Sequence, residues 1–424
     1  MTTTTTTTDQ PLQTLKGFRD IFPEEKRQRD YVQAKIIETY QSFGFQPLET
    51  PTLEYASLLL GKYGQEADQL VYTFKDRGGR AVGLRYDQTV PTARILAQYR
   101  NNLPKFFRRY QVQNVFRADK PQSGRYREFT QCDIDIFGTN SPLADAEVVA
   151  CVWSAYKNVG FKQVKIELND RQTLLSTLDE FTTQETDVFS IIQTIDKLDK
   201  KSEKEIEAEL VKKGLTPNQA KQVLAAIKQA QPSSNLKEII NLIEQLGVSK
   251  DDLIFNPALA RGLDYYTGLI FEVSIPGYDV GSVGGGGRYD SLIQELGGVN
   301  IPAVGYGLGF DRTVEAAIAL DLIPDQTQAA QVLVTLFDPT LVNQSLKLAT
   351  KLRQAGLSAQ TYPEPEDNLG KQLKLANQKN IPWVVIQGPE ESEQDQVAVK
   401  NMKSGKQETI AVEQLVEYLN TIKT

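Results

Sequence analysis

A chain of 424 residues and 47.4 kDa is too long for one small module, and domain sizes of about 100–200 residues predict two to four units. Hydrophobic residues at 40% and charged residues at 24% match a globular protein with a sizeable core and exclude wholesale disorder. The 47 basic and 54 acidic residues give a net charge of -7, which excludes a non-specific polyanion binder but leaves room for a local basic surface.

The chain contains no histidine. That excludes a Ser-His-Asp triad, a Cys-His pair, a histidine base and a histidine metal ligand. Cys132 and Cys151 cannot form a disulfide framework or a four-cysteine zinc site, so no protein-held metal is expected and the cytoplasm is the expected compartment. Chemistry must rest on carboxylates, arginines, lysines and the substrate's own groups. Reactions that need positioning and charge stabilisation, such as phosphoryl or nucleotidyl transfer, fit that constraint.

In chain order, the threonine run Met1–Thr8 lacks the charged and apolar regions of a secretory signal and reads as part of a disordered tail over 1–10. No stretch reaches the roughly 18 apolar residues of a membrane span. From 11 to 170 the pattern is α+β, with Val32, Ile36, Tyr40 and Phe43 at helical spacing. From 171 to 250 it turns helical and polar, as an insertion that splits the domain, which resumes over 251–325. After Pro324, Val332–Phe337 reads as a strand, Val342, Leu346, Ala349 and Leu352 as a helix face, and Trp383–Ile386 as a buried strand. The stretch 326–424 is thus expected to be a small α/β domain with parallel strands.

Chemistry concentrates in four places. Between Arg94 and Arg127 stand nine basic residues (Arg94, Arg100, Lys105, Arg108, Arg109, Arg117, Lys120, Arg125 and Arg127) against one acid, Asp119. The layout reads as a strand over Phe106–Arg117, a polar loop over Ala118–Gly124 and a returning strand over Tyr126–Phe137, a basic hairpin suited to a polyphosphate or nucleic-acid end. On the returning strand Phe129, Gln131, Asp133 and Asp135 share one face, and Cys132, Ile134 and Ile136 the opposite, apolar one. The third place joins Arg261–Gly268 and the strand-like Leu269–Ile275 to Gly284–Gly287 with Arg288, Tyr289 and Asp290; its four glycines read either as backbone open to a ligand or as a tight turn. The fourth, Gly305–Arg312, reads as a glycine-rich strand leading into a helix near Asp311, whose start and Arg312 suit an anion. No segment has a P-loop or dinucleotide-binding pattern.

Together these segments resemble the class II aminoacyl-tRNA synthetases, and specifically the histidyl-tRNA synthetase family, over nearly the whole chain. Lys16–Asp20 is similar to the family's opening motif, the following helix with Pro51 to motif 1, Phe116–Asp119 with Arg125–Phe129 to motif 2, and Gly307–Arg312 to motif 3. Leu84–Thr89, Gln131–Asp135 and Arg261–Tyr266 resemble the histidine-binding segments, and the C-terminal block with Gly370–Gln372, Val384–Gly388 and Lys400–Gln407 resembles the anticodon-binding domain.

The resemblance implies an antiparallel-sheet catalytic domain with a helical insertion, then a small α/β domain. It implies ATP as substrate with Mg²⁺, L-histidine and histidine tRNA as partners, and a homodimer built through motif 1. By position, Arg117 would contact the α-phosphate, Arg125 and Arg312 the outer phosphates, and Phe129 the adenine, with Asp119 beside them. Asp87, Thr89 and Gln131 would bind the amino group, Arg261 the carboxylate, Asp135 with Tyr266 and Tyr265 the imidazole side, and Lys120 and Gln122 the tRNA acceptor end. Arg117 and Arg261 would be the catalytic cations. Asp87 and Asp119 stand where many relatives have glutamate, a change of one methylene that keeps the charge. The alternative implied is a histidine-sensing regulatory subunit of ATP phosphoribosyltransferase, but such paralogues lack the C-terminal domain and usually have eroded ATP arginines, whereas Arg117, Arg261, Arg312 and that domain are present here.

Overall fold

The computed structural model describes residues 12–61, 69–120, 126–260, 265–324 and 330–421, so the threonine run and the positions 325–329 after Pro324 lie outside the described residues. The chain forms two units, Met1–Ile323 and Pro324–Thr424.

The first unit is built on an eight-stranded sheet. Its strands are β1 (Gln46–Pro47), β5 (Phe107–Phe116), β6 (Glu128–Phe137), β7 (Lys165–Asp170), β8 (Leu253–Phe255), β9 (Leu269–Ser274), β10 (Gly284–Arg288) and β11 (Ala303–Gly309). Across the sheet they run β1-β5-β6-β11-β10-β9-β7-β8. Only the outermost pairs, β1 with β5 and β7 with β8, are parallel. A three-stranded sheet of β2 (Leu53–Tyr55), β3 (Thr73–Lys75) and β4 (Ala81–Leu84) lies beside it in sequence, ordered β2-β4-β3.

One face of the large sheet is covered by helices. The helix Pro23–Ser42 starts with Pro23 at its first turn, carries Glu24 and Glu25 where the helix dipole favours acids, and buries Val32, Ile36 and Tyr40. The helix Pro142–Val159 is capped by Ser141, whose hydroxyl accepts from Leu143 N at 3.3 Å, and ends at Gly160 with φ 118°. Cys132, Ile134 and Ile136 of β6 point into this helix-covered core, which also takes Phe271, Val304 and Leu308, while both cysteines are free and buried. Period-two alternation therefore leaves Gln131, Asp133 and Asp135 on the other face.

Residues 171–245 are helical. The helices Arg171–Leu178, Val188–Ile195, Glu203–Lys212 and Pro217–Gln229 make a core of their own from Leu174, Ile191, Ile206, Leu210, Val223 and Ile227. Reciprocal caps at Ser202 with Glu205 and Thr216 with Gln219 start two of them. The last helix, Ser234–Gln245, instead packs Leu236, Ile239 and Ile243 into the core of the large sheet.

The second unit has a five-stranded sheet of β12 (Val332–Val334), β13 (Ala359–Thr361), β14 (Trp383–Ile386), β15 (Gln396–Asn401) and β16 (Gln407–Ala411), ordered β13-β12-β14-β15-β16. The expected all-parallel pattern holds only for the first three; β15 and β16 are antiparallel. The cause is connection length, since the links from β14 to β15 and from β15 to β16 are too short for a parallel crossover. In the helix Val342–Gln354 the expected Ala349 and Leu352 are buried and Val342 partly so, but Leu346 is exposed and Ser345 and Leu348 complete the inward face.

Candidate active site

The uncovered face of the large sheet is shaped by what its glycines lack. Pairing aligns Gln111, Asp133, Gly307, Gly285 and Glu272 in one row across β5, β6, β11, β10 and β9, and Arg109, Asp135, Gly305, Gly287 and Ile270 in the next. A Cβ at Gly305 would lie 1.8 Å from Asp135 Oδ1, and one at Gly287 would lie 2.9 Å from the Tyr266 ring. These two glycines seat the carboxylate and the phenol. A Cβ at Gly307 or Gly285 would meet nothing closer than 3.5 Å, so this pair leaves an open floor. The glycine run is therefore neither a turn nor a phosphate loop but strand β10.

Two cavities open over that floor. The smaller, about 200 Å³, is lined by Asp87, Thr89, Gln131, Asp133, Asp135, Tyr265, Tyr266 and Tyr289 among others. The larger, about 520 Å³, is lined by Asp119, Tyr126, Phe129, Ser282, Asp311 and Arg312 among others. Arg117, Gln131, Gly285 and Gly307 line both, so the cavities adjoin.

The larger cavity has an aromatic wall and cationic sides. Arg117 donates from Nε to Tyr86 O at 3.1 Å, and its guanidinium lies 4.4 Å from the Tyr86 ring centroid and 5.2 Å from that of Phe129. Arg312 donates from Nη1 to Ser282 O at 2.8 Å. Asp311 is buried and accepts from Arg29 Nη1 at 2.7 Å, from Thr130 N at 3.0 Å and from Arg19, whose guanidinium also stacks 3.5 Å from the Tyr126 ring centroid. The opening motif is thereby bound to both motif 2 and motif 3. Arg127 reinforces this, donating its backbone N–H to Gly17 O and its side chain to Lys16 O.

The smaller cavity is carboxylate-rich. Arg109, 1% exposed, places Nη2 2.6 Å from Asp135 Oδ2, and the Tyr289 hydroxyl donates to Asp135 Oδ1. Burial raises the Asp135 pKa, opposed by Arg109 and by that hydrogen bond. Burial also pushes Asp133 up to about 8, with Arg109 opposing and Asp135 and Asp87 reinforcing the rise. Asp87 Oδ1 accepts from Val90 N at 3.2 Å at the start of the helix Thr89–Tyr99. Gln88 between the lining residues is buried and ties strands together, donating to Gln113 O and Gln131 O, each at 3.1 Å. Arg288 anchors the end of β10 through Asp145, at 3.0 Å from Nε to Oδ1 and 2.7 Å from Nη2 to Oδ2.

Ten of the residues singled out in the sequence thus line the two joined cavities: Asp87, Thr89, Arg117, Asp119, Phe129, Gln131, Asp135, Tyr265, Tyr266 and Arg312. Lys120 is exposed, while Arg125, Gln122 and Arg261 lie outside the described residues. Among the described members of the basic run, Arg94 of the helix Thr89–Tyr99 pairs with Glu54, while Arg108 and Arg109, neighbours on β5 that face opposite ways, pair with Glu147 and Asp135.

Residues 17–313 match the family model for histidyl-tRNA synthetase, and residues 331–422 match that for the anticodon binding domain. The chain belongs to the histidyl-tRNA synthetase family. It is 36% identical to the histidine–tRNA ligase of Cytophaga hutchinsonii over 95% of this chain and 98% of that one, and 36% identical to that of Gloeobacter violaceus over 94% and 96%. The crystal structure of histidyl-tRNA synthetase from a Nostoc species superposes with a TM-score of 0.86 at 31% identity, covering 97% and 99%. The fold is that of a class II synthetase, an antiparallel-sheet catalytic unit followed by an anticodon-binding domain.

Within this synthetase, Arg109 and Tyr289 are site residues to which the sequence assigned no role. Arg109 was legible only as part of a basic run, and Tyr289 follows the glycine strand with no motif of its own. The pairing register supplies the missing signal: Arg109 is the cross-strand partner of Asp135, and Tyr289 follows directly after the end of β10. Among the described residues no group of three or more Cys, Asp or Glu side chains is gathered to hold a metal.

Proposed function

We propose that the chain activates L-histidine with ATP, forming histidyl-adenylate and pyrophosphate, and transfers histidine to the 3′ end of its tRNA with release of AMP. The observation that carries this reading is the junction: an amino-acid-sized cavity and a nucleotide-sized cavity share a wall containing Arg117. In the larger cavity Phe129 supports the adenine, while Arg117, Arg312 and Arg125 stabilise the phosphates. In the smaller, Asp87, Thr89 and Gln131 take the ammonium, Asp135 with Tyr266 and Tyr265 the imidazole, and Arg261 the carboxylate.

The substrate carboxylate is already an anion at neutral pH and attacks the α-phosphorus without a general base. Charge grows on the equatorial phosphate oxygens, where guanidiniums held in advance stabilise it without proton transfer. Arg117 meets this need because Tyr86 O and two rings fix its plane. In the second step a phosphate oxygen of the adenylate takes the proton of the attacking 3′-hydroxyl, consistent with a chain that has no histidine. Mg²⁺, entering with the nucleotide substrate, would neutralise phosphate charge; of the carboxylates lining this cavity, Asp311 is already paired with Arg19 and Arg29.

Lys120 and Gln122 contact the acceptor end, and a homodimer forms through the motif 1 segment. The cytoplasm is the proposed compartment; among the described residues no helix is long and apolar enough to cross a membrane. The regulatory-subunit reading is disfavoured by the match to an anticodon binding domain over 331–422 and by Arg117 and Arg312 lining one cavity. Histidine-dependent ATP–pyrophosphate exchange, assayed across the amino acids, tests the proposal: exchange with histidine alone supports it, and histidine binding without exchange supports the sensor.

A further inference from the structure

The smaller cavity holds a carboxylate that the roles above leave unused. Asp133 lies between Gln131 and Asp135 on the same face of β6, is 5% exposed, and lines the cavity. Its hydrogen bonding is thin: Gln131 Nε2 approaches Oδ1 at 3.5 Å, the outer limit of such a contact. Across the sheet, Gly307 and Gly285 put no side chain in front of it. The buried Oε1 of Gln131, beside it, has no partner. The charged and titratable groups facing it are Arg109 from β5, Asp135 from β6, Asp87 from the loop before the helix Thr89–Tyr99, Arg117 after β5, and Glu272 across the glycines, with Tyr265, Tyr266 and Tyr289 on the cavity wall. Arg109 is already committed to Asp135. Among the described residues this buried carboxylate has an open side and no ion-pair partner, and such a group is set to receive a cation from the ligand.

We propose that Asp133 is a further substrate-binding residue, whose carboxylate takes the α-ammonium of the amino acid together with Asp87 and Gln131. This rests on the reading of the smaller cavity as the histidine site. Before the ligand arrives, burial keeps Asp133 largely protonated near neutral pH. The ammonium makes the carboxylate form favourable, so the Asp133 proton leaves to solvent as the ammonium, still protonated, takes its place. Amino-acid binding is thereby coupled to release of one proton from the enzyme.

Calorimetric titration of the full chain with L-histidine, at about pH 7 in two buffers of different ionisation enthalpy, measures that proton. For a group at about 8 the expected release is roughly 0.9 proton per histidine bound. The analogue 3-(imidazol-4-yl)propionate keeps the imidazole but lacks the ammonium, and it is expected to bind without the release. Asp133→Asn is expected to abolish the release and to weaken histidine binding roughly ten- to hundredfold. Histidine binding with no proton released, equal release with the analogue, or release persisting in the Asn variant overturns the role of Asp133 and leaves the pocket reading standing. Failure of the wild-type chain to bind histidine overturns the pocket reading itself. If the Asn variant does not fold, the wild type against the two ligands still decides.

Discussion

Gly307→Ala separates what the glycine floor does for folding from what it does for chemistry. A Cβ built there lies 3.5 Å from Asp133 Oδ1, 3.6 Å from Gln131 Nε2 and 3.7 Å from Gly285 O, all ordinary contacts, and the backbone is not left-handed. The empty protein therefore accommodates the methyl, and the narrower unfolded ensemble stabilises it by about 0.4–1 kcal/mol. The same methyl stands on the floor shared by both cavities. A ligand lifted by about 1 Å from its reacting partner loses on the order of 10²-fold in rate, about 2.7 kcal/mol. Thermal melts and histidine-dependent ATP–pyrophosphate exchange on one preparation give the two numbers, with stability expected up and exchange down. Gly305→Ala is the contrast, because its Cβ would lie 1.8 Å from Asp135 Oδ1 and 2.7 Å from Ile134 O, so stability falls with activity, by about 1–3 kcal/mol. Exchange within about twofold of wild type in Gly307→Ala would refute the reasoning, since the floor would then not lie beneath the reactants.

Asp135→Ala is expected to depress histidine-dependent exchange far more than ATP binding, because it removes a carboxylate and strands the buried Arg109 beneath it; equal losses in both would remove Asp135 from the imidazole end. Phe129→Ala, by removing the ring beside Arg117, is expected to raise the KM for ATP roughly 5- to 150-fold with a smaller change for histidine, the range for loss of one base stack, measured by varying each substrate in turn. Asp133→Asn is expected to stabilise the ligand-free protein at high pH. The folded pKa of about 8 exceeds the unfolded value, so the folded state binds more protons between about pH 4 and 8 and wild-type stability falls as pH rises through that window. Urea denaturation should show the variant more stable by several kcal/mol near pH 9 and matched to wild type below about pH 4, and parallel curves would disprove it.

The two faces of β6 are legible in the residue order alone, because side chains alternate with period two and Cys132, Ile134 and Ile136 contrast with Gln131, Asp133 and Asp135. The same rule, applied to β5, places Arg108 and Arg109 on opposite faces, but a run of arginines carries no apolar contrast to say which side is buried. Only the pairing of Arg109 with Asp135 settles that. The glycine run is ambiguous for a related reason: a strand without side chains has no periodicity, and its purpose appears only when Asp135 and Tyr266 are seen occupying the space. Tyr289 reaches Asp135 from 154 positions away, a distance over which local pattern is silent. In the second unit the short links after β14 and β15 are present in the sequence, and their length, once weighed, predicts the antiparallel edge.

The Arg109–Asp135–Tyr289 cluster sits in a polypeptide devoid of imidazole, so in a complex with histidine the ligand's ring is the only one of its kind. Its nitrogen and carbon-bound proton resonances have no counterpart among the protein's own signals. Which ring nitrogen keeps its hydrogen, and whether the ring carries charge, can be read directly by magnetic resonance from the unlabelled protein. The molecule supplies a dark background against its own substrate.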